Sequence, residues 1–256
     1  DRHLELTNII SAVAAHRVLF NSRFHLTAFL RAAKHLVRQM PDTRPGWVLD
    51  AIQKKAQVVY PGCWFDKTEP MIFSEKISPP LVVWNHRWDF DKKPEIFFDV
   101  LTRIQKKNVD FSLALLGEAP DKYPSVFDAA KEQFKTELVA FGFEPSHSRY
   151  LSWLQKGTVA VSCAIQENFG ISVVEAVRKG CFPLLPDRLS YPEIIPDHLH
   201  GHTLYKSKKD FSEKLEHALL NPSALLPVQQ ELSTAMGCYA WENMIQTYDD
   251  ILESNG

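Results

Sequence analysis

No stretch of this 256-residue sequence approaches the roughly 18 to 20 consecutive apolar residues of a membrane helix, and runs such as Leu81 to Trp84 are only strand-sized. The sequence therefore reads as that of a protein that does not cross a bilayer by helices. Cysteine is scarce: Cys63, Cys163, Cys181 and Cys238 stand far apart, and none forms the C-x-x-C pair of a zinc or redox site. Free thiols in a reducing cytoplasm are expected. Charge of one sign is not in excess, with 29 Lys and Arg against 31 Asp and Glu and a net charge of -2, so no global field draws the chain to a polyanion. A nucleic-acid partner would need a local basic patch. There is no internal repeat, no low-complexity segment and no secretory signal behind Asp1.

What is present is ordinary for a folded protein: 45% hydrophobic, 11% aromatic and 23% charged residues. The length allows one large domain or one and a half. Helical spacing of apolar residues over Leu4 to Ala14 precedes a short strand ending at Phe20, the turn Asn21-Ser22, and a basic amphipathic helix with Ser22 as its N-cap. A further helix over Trp47 to Lys55 and a strand over Gln57 to Tyr60 follow. Pro61-Gly62 opens an irregular stretch reaching Pro79-Pro80, where the domain junction is expected, giving units 1–70 and 71–256.

Beyond Pro80 strands alternate with helices. Strands are expected at Leu81 to Trp84, Ser112 to Leu116, Leu138 to Phe141, Thr158 to Ser162, Phe182 to Leu185 and Thr203 to Tyr205. Helices are expected at Pro94 to Lys106, Ser125 to Phe134, Tyr150 to Leu154, Ile171 to Lys179, near Glu193, and over Phe211 to Leu220 and Tyr239 to Leu252. Continuous apolar strands separated by helices predict an α/β fold with a doubly wound, Rossmann-like parallel sheet. Such sheets bind ligands beyond the carboxyl ends of their strands, so the loops there should hold the chemistry.

The loop after Thr158 to Ser162 reads Gln166-Glu167-Asn168-Phe169-Gly170 and enters the helix Ile171-Ser172-Val173-Val174-Glu175. Gly170 allows a close approach, and the free amides of the first helical turn suit an anion such as a phosphate. Glu167 and Glu175 lie eight residues apart and would span about 12 Å if the interval were fully helical. Solvated glutamates are the plainer interpretation, but an apolar run after a core strand is a costly place for unpaired charge. A second loop, Asn85-His86-Arg87-Trp88-Asp89-Phe90-Asp91-Lys92-Lys93, puts Arg87 and Lys92 five residues apart. Two fixed cations would stabilise a departing diphosphate.

The first loop resembles the E-x7-E signature of family 4 glycosyltransferases of the GT-B fold, and the second resembles their G-R-x4-K-G stretch, with His86 in place of the usual Gly and Lys93 in place of the last. Leu115-Leu116-Gly117-Glu118, Phe141-Gly142-Phe143, Gly180-Cys181-Phe182-Pro183 and Tyr191-Pro192-Glu193 resemble further landmarks in the family's order. The finer wording, Trp84-Asn85-His86-Arg87-Trp88-Asp89 and Ser190-Tyr191-Pro192-Glu193-Ile194 with Phe20-Asn21-Ser22-Arg23-Phe24, resembles the queuosine-tRNA mannosyltransferase family. The resemblance implies retaining transfer of mannose from GDP-mannose to queuosine at the wobble position of tRNA-Asp.

It further implies Arg87, Lys92 and Glu167 as catalytic residues, and His86, Asn168, Phe169, Gly170, Ile171, Glu175 and Gly117 as donor-binding ones. Glu167 would contact the sugar and Glu175 the ribose. No metal and no cofactor are expected, and the partners implied are a nucleotide-sugar donor and a tRNA acceptor, with no membrane and no protein partner. The family's opening half domain has no counterpart before Asp1, so a truncated chain is expected, and a non-catalytic nucleotide-sugar or tRNA-binding module is the alternative, as is another acceptor. Trp88 is open between a stacking platform and a core residue. His198, His200 and His202 would share a face only on a strand, and their setting favours an exposed turn over a metal site. The basic helix Arg23 to Arg38 is either a solvated face or an RNA contact.

Overall fold

The computed structural model describes residues 2–65 and 76–254, so the expected boundary at residues 70 and 71 lies outside the described residues. In the first unit, strands β1 (Val18–Phe20) and β2 (Ala56–Val58) pair in parallel. Helices α1 (Arg2–Ala14), α2 (Arg23–Arg38) and α3 (Trp47–Gln53) bury Ile9, Ala12, Ala33, Leu36, Val48 and Ile52 against one another. Ser22 caps α2 as its position suggested, its Oγ accepting from the His25 amide at 2.9 Å.

The second unit holds a six-stranded sheet of β3 (Leu81–Trp84), β4 (Ser112–Leu116), β5 (Leu138–Gly142), β6 (Val159–Val161), β7 (Phe182–Pro186) and β8 (Leu204–Tyr205). All its neighbouring strands are parallel, in the order β5-β4-β3-β6-β7-β8. The intervening helices are α4 (Pro94–Lys106), α5 (Val126–Gln133), α6 (His147–Lys156) and α7 (Ile171–Arg178). Strand periodicity explains the unbroken apolar runs: Val82 and Trp84 enter one core with Leu113, Leu115, Phe97 and Phe127, while Leu81 and Val83 enter the opposite one with Ala114, Leu116 and Leu154. The sheet grows outward from β3 to β5 and then returns to place β6 on the other side of β3. Loops leaving β3 and β6 therefore diverge and open a crevice between them.

After β7 come α8 (Tyr191–Ile194), α9 (His200–Thr203), α10 (Lys208–Leu220), α11 (Leu226–Ala235) and α12 (Trp241–Glu253). Helix α11 was not among the sequence expectations. Its buried face includes Gln229 and Ser233 beside Leu232, which blurs the apolar period; the Gln229 amide donates to the Thr158 carbonyl at 3.2 Å, and Ser233 exchanges hydrogen bonds with Arg178. The last helix returns to the first unit, where the Trp241 amide donates to the Cys63 carbonyl at 2.9 Å and Trp241 stacks on Trp64. A second seam forms at Glu193, whose carboxylate accepts from the amides of Arg23 at 2.8 Å and Phe24 at 2.6 Å and from the Tyr60 hydroxyl at 3.2 Å.

Gly117, just past β4, sits where the loop after β3 crosses over it. A Cβ there would lie 2.0 Å from the His86 carbonyl oxygen and 3.0 Å from the Trp88 ring, and the Trp88 amide donates to the Glu118 carbonyl at 3.0 Å. Backbone must move to admit a methyl group. We expect Gly117→Ala to lower unfolding stability by about 1–3 kcal/mol in chemical denaturation. Gly201→Ala, whose Cβ would meet open space, should stay within about 0.5 kcal/mol of the parent.

Candidate active site at the sheet switch point

A cavity of about 710 Å³ occupies the crevice. Its walls include Asn85, His86, Arg87, Asp91 and Lys92 from the loop after β3, the segment Ile165 to Ser172 after β6, and Asn21, Phe24 and Ala28 from the first unit. A second hollow of about 360 Å³ lies on the other side of Arg87, between Gly117, Phe143, His147 and Tyr150. Asn85, His86 and Arg87 border both.

Asp89 caps a short 3-10 turn, Phe90–Lys92, by accepting from the Phe90 amide, and this turn delivers Lys92 to the crevice. Its ammonium donates to the Gln166 carbonyl at 2.9 Å and lies 3.2 Å from Asp91 and 3.4 Å from Glu167. Lys92 and Asp91 are both buried. A backbone bond from the Ile165 amide to the Asp91 carbonyl, 2.8 Å, ties the two loops further. Arg87, by contrast, is exposed, and among the described residues no carboxylate lies within ion-pair distance of it.

The segment Asn168 to Gly170 is a turn, so the interval between the two glutamates is not helical throughout and the span expected of a continuous helix does not apply. Gly170 caps α7 with φ of 106°, a conformation that strains any other residue. The amides of Ile171 and Ser172 then open the helix without intrahelical acceptors. Phe169 is buried against Tyr60 and Tyr239, so its side chain anchors the turn, whereas Asn168 and Ile171 are exposed at the cavity. Glu167 accepts from the Asn168 amide at 3.1 Å as well as from Lys92.

Glu175 does not border the larger cavity. It accepts from the Tyr150 hydroxyl at 3.0 Å, and Asn85 in turn donates to that hydroxyl at 3.1 Å and to the Ser172 carbonyl at 2.7 Å. Glu175 thereby stands behind the smaller hollow. Burial raises its pKa, with the Tyr150 hydrogen bond opposing the shift. Asn21, Phe24, Asn85 and Tyr150 were not singled out from sequence as site residues. Only the position of Asn85 at the carboxyl end of a strand offered a signal.

The structure places three features that the sequence left open. Trp88 is a core residue, stacked 4.4 Å from Phe127 and buried. His86 borders the cavity, yet both ring nitrogens are taken by protein: Nε2 lies 3.1 Å from the Val161 carbonyl and Nδ1 3.1 Å from the Ser172 hydroxyl. A carbonyl can only accept, so Nε2 carries the proton and Nδ1 receives the Ser172 O–H. The three histidines near residue 200 follow a 3-10 turn and a short helix rather than a strand. His198 pairs with Glu231, and His200 bonds the Pro192 and Ile195 carbonyls. Among the described residues no group of three or more His, Cys, Asp or Glu is placed to hold a metal ion.

Burial, reinforced by the nearby Lys92 charge, pushes the His86 pKa down from 6.5 to about 4. The unfolded imidazole takes a proton below about pH 6.5, while the native ring stays neutral until about 4, so stability contributed by this residue is full above that window and falls as pH drops through it. The limit of the loss is about 3 kcal/mol. In proton NMR, the His86 ring resonance should hold its neutral position at pH 5.5. A ring that titrates near 6.5 would remove this assignment.

Residues 67–240 match the family described as Glycosyl transferases group 1, and residues 1–63 match the description tRNA-queuosine alpha-mannosyltransferase N-terminal. A curated Drosophila melanogaster protein named tRNA-queuosine alpha-mannosyltransferase is 32% identical over 226 residues, covering 84% of this chain and 58% of that protein. The chain thus spans little more than half the length of this relative. Among solved structures, sucrose-phosphate synthase from Thermosynechococcus elongatus superposes with a TM-score of 0.77 at 14% identity, covering 99% of this chain and 62% of that one. The pneumococcal O-GlcNAc transferase GtfA, solved with UDP and GlcNAc, gives 0.69 at 12% identity, covering 97% and 47%. At such identities these likenesses establish the GT-B glycosyltransferase fold alone. The group 1 match takes in more than half of the sequence, and on that ground the chain belongs to the group 1 family of glycosyl transferases.

Proposed function

We propose that this chain forms the donor side of a retaining mannosyltransferase that transfers mannose from GDP-mannose to queuosine in the wobble position of tRNA-Asp. The observation that carries the reading is the pair of hollows meeting at Arg87, at the switch point of the sheet. In it the nucleoside lies in the smaller hollow, with its ribose hydroxyls toward Glu175. The diphosphate lies at Arg87, Lys92 and the first amides of α7. The sugar enters the larger cavity beside Glu167. The named Drosophila relative supports mannose and queuosine as donor sugar and acceptor.

Transfer then breaks the bond from the anomeric carbon to the departing phosphate oxygen and forms one to the acceptor hydroxyl oxygen on the same face of the ring. The hydroxyl proton passes to the leaving phosphate. Positive charge at Arg87 and Lys92 stabilises that phosphate without requiring a metal, and no protein nucleophile is used. The setting proposed is the cytoplasm, where Cys63, Cys163 and Cys181 remain thiols; burial pushes their pKa values up to about 12, 12 and 11. A second reading is a binding module without turnover. Transfer of label from GDP-mannose by the full-length protein to tRNA from queuosine-containing cells, and not to queuosine-free tRNA, separates the two.

For the donor site, titration calorimetry should detect GDP-mannose binding, and Arg87→Ala should weaken it at least about 10-fold, the loss of one charge-assisted contact, with a smaller loss for Glu175→Gln, whose carboxylate borders neither hollow. Binding that survives loss of both side chains would remove the basis of the assignment.

A further inference from the structure

Helix α2 supplies Phe24 and Ala28 to the wall of the larger cavity, and its outer surface has a second character. Its sequence holds no acidic residue, and Arg23, Thr27, Arg31, Lys34 and Arg38 are all exposed. At ~100° per residue these five positions fall within an arc of about 80°, so they form one straight stripe roughly 22 Å long at ~1.5 Å per residue. The cavity-lining residues Phe24 and Ala28 occupy the adjoining arc, and Ala33, Leu36 and Val37 face the core from the opposite side. The N-terminal end of the cationic stripe thus adjoins the crevice, and the rest of it runs on from there along the helix.

Surface cations usually sit among carboxylates, but none of Arg23, Arg31, Lys34 and Arg38 has an acidic partner within ion-pair distance among the described residues. The wider charge distribution agrees. Residues 1–60 carry nine Lys and Arg against four Asp and Glu, while the remaining chain carries twenty against twenty-seven. The neutral total conceals a basic first unit beside an acidic second one.

We propose that this stripe is the track on which the sugar–phosphate backbone of the RNA acceptor lies, feeding the modified base into the crevice past Asn21 and Phe24. A linear polyanion complements a linear row of unpaired cations, and phosphate contacts fix register without reading sequence. A lipid surface fits less well, since a membrane-seated helix needs its apolar face free and that of α2 is buried in the core. The inference rests on the RNA acceptor of the proposed function. Measuring RNA affinity without donor keeps the two separable.

The test is fluorescence anisotropy of a labelled unmodified tRNA with the 256-residue chain over a range of salt concentrations. Arg31→Gln, Lys34→Gln and Arg38→Gln combined should weaken binding at least about 10-fold and lower the slope of log affinity against log salt by about 2, at roughly 0.7–0.9 per phosphate contact. A control with Lys122→Gln, Lys135→Gln and Lys209→Gln removes the same charge from the second unit and should leave both within twofold. Circular dichroism and unchanged GDP-mannose calorimetry verify that the variants are folded. Absence of RNA binding by the parent chain, equal loss in stripe and control variants, or equally effective competition by poly-glutamate would overturn the proposal, the last in favour of an acidic protein partner.

Discussion

An ammonium group taken out of water must be answered by acceptors, and the crevice is organised around how Lys92 is answered. Its carbonyl and carboxylate partners come from the loop after β6 as well as from its own turn, so the two loops that diverge at the switch point are fastened to each other where the sheet leaves them apart. Removing either loop's contribution would strand a buried charge, a loss of several kcal/mol that rigid geometry avoids. One consequence concerns the donor. Lys92 already faces two carboxylates, Asp91 and Glu167, and that trio carries more negative than positive charge. On the proposed reading, Lys92 then contributes less to holding the diphosphate than Arg87 and the amides opening α7, and it also holds Glu167 at the cavity.

A similar economy joins the two units. Glu193 places its carboxylate at the positive end of α2, taking two of the amides that a helix N-terminus leaves without intrahelical partners, while Ser22 takes a third. Tyr60 adds its hydroxyl from the linker side. The result is positional. With its first turn held this way, α2 presents Phe24 and Ala28 to the cavity and carries Asn21 to its rim, so one glutamate outside the cavity lining helps set which residues of the first unit the crevice contains.

Much of the fold was legible because strands buried on both faces leave unbroken apolar runs, and six such runs with turn residues between them specify a parallel sheet. The chemistry-bearing loops were legible for a related reason: charged residues after a core strand need a purpose. Helix α11 escaped because Gln229 and Ser233 are buried by satisfying backbone groups rather than by being apolar, and no periodicity registers that. Trp88 could not be resolved from sequence since its neighbour Phe127 is distant in the chain. The roles of Tyr150 and Glu193 were hidden too, as each works through a hydrogen bond to a residue more than twenty positions away.

His86 shows how one buried side chain commits the donor of a neighbour. Where the resembling family has a glycine, this chain puts an imidazole whose proton is committed to the Val161 carbonyl. The unprotonated nitrogen then draws the Ser172 hydroxyl proton, and a serine in the first turn of α7 loses the donor it would otherwise offer an anion. Its oxygen remains an acceptor, which repels phosphate. On the proposed reading, anion binding at this helix rests on backbone amides, whose direction is set by Gly170 and not by side-chain rotation. A site built on fixed donors tolerates little change in ligand position, and that rigidity passes from the strand β6 carbonyl through two side chains to the place where the diphosphate would lie.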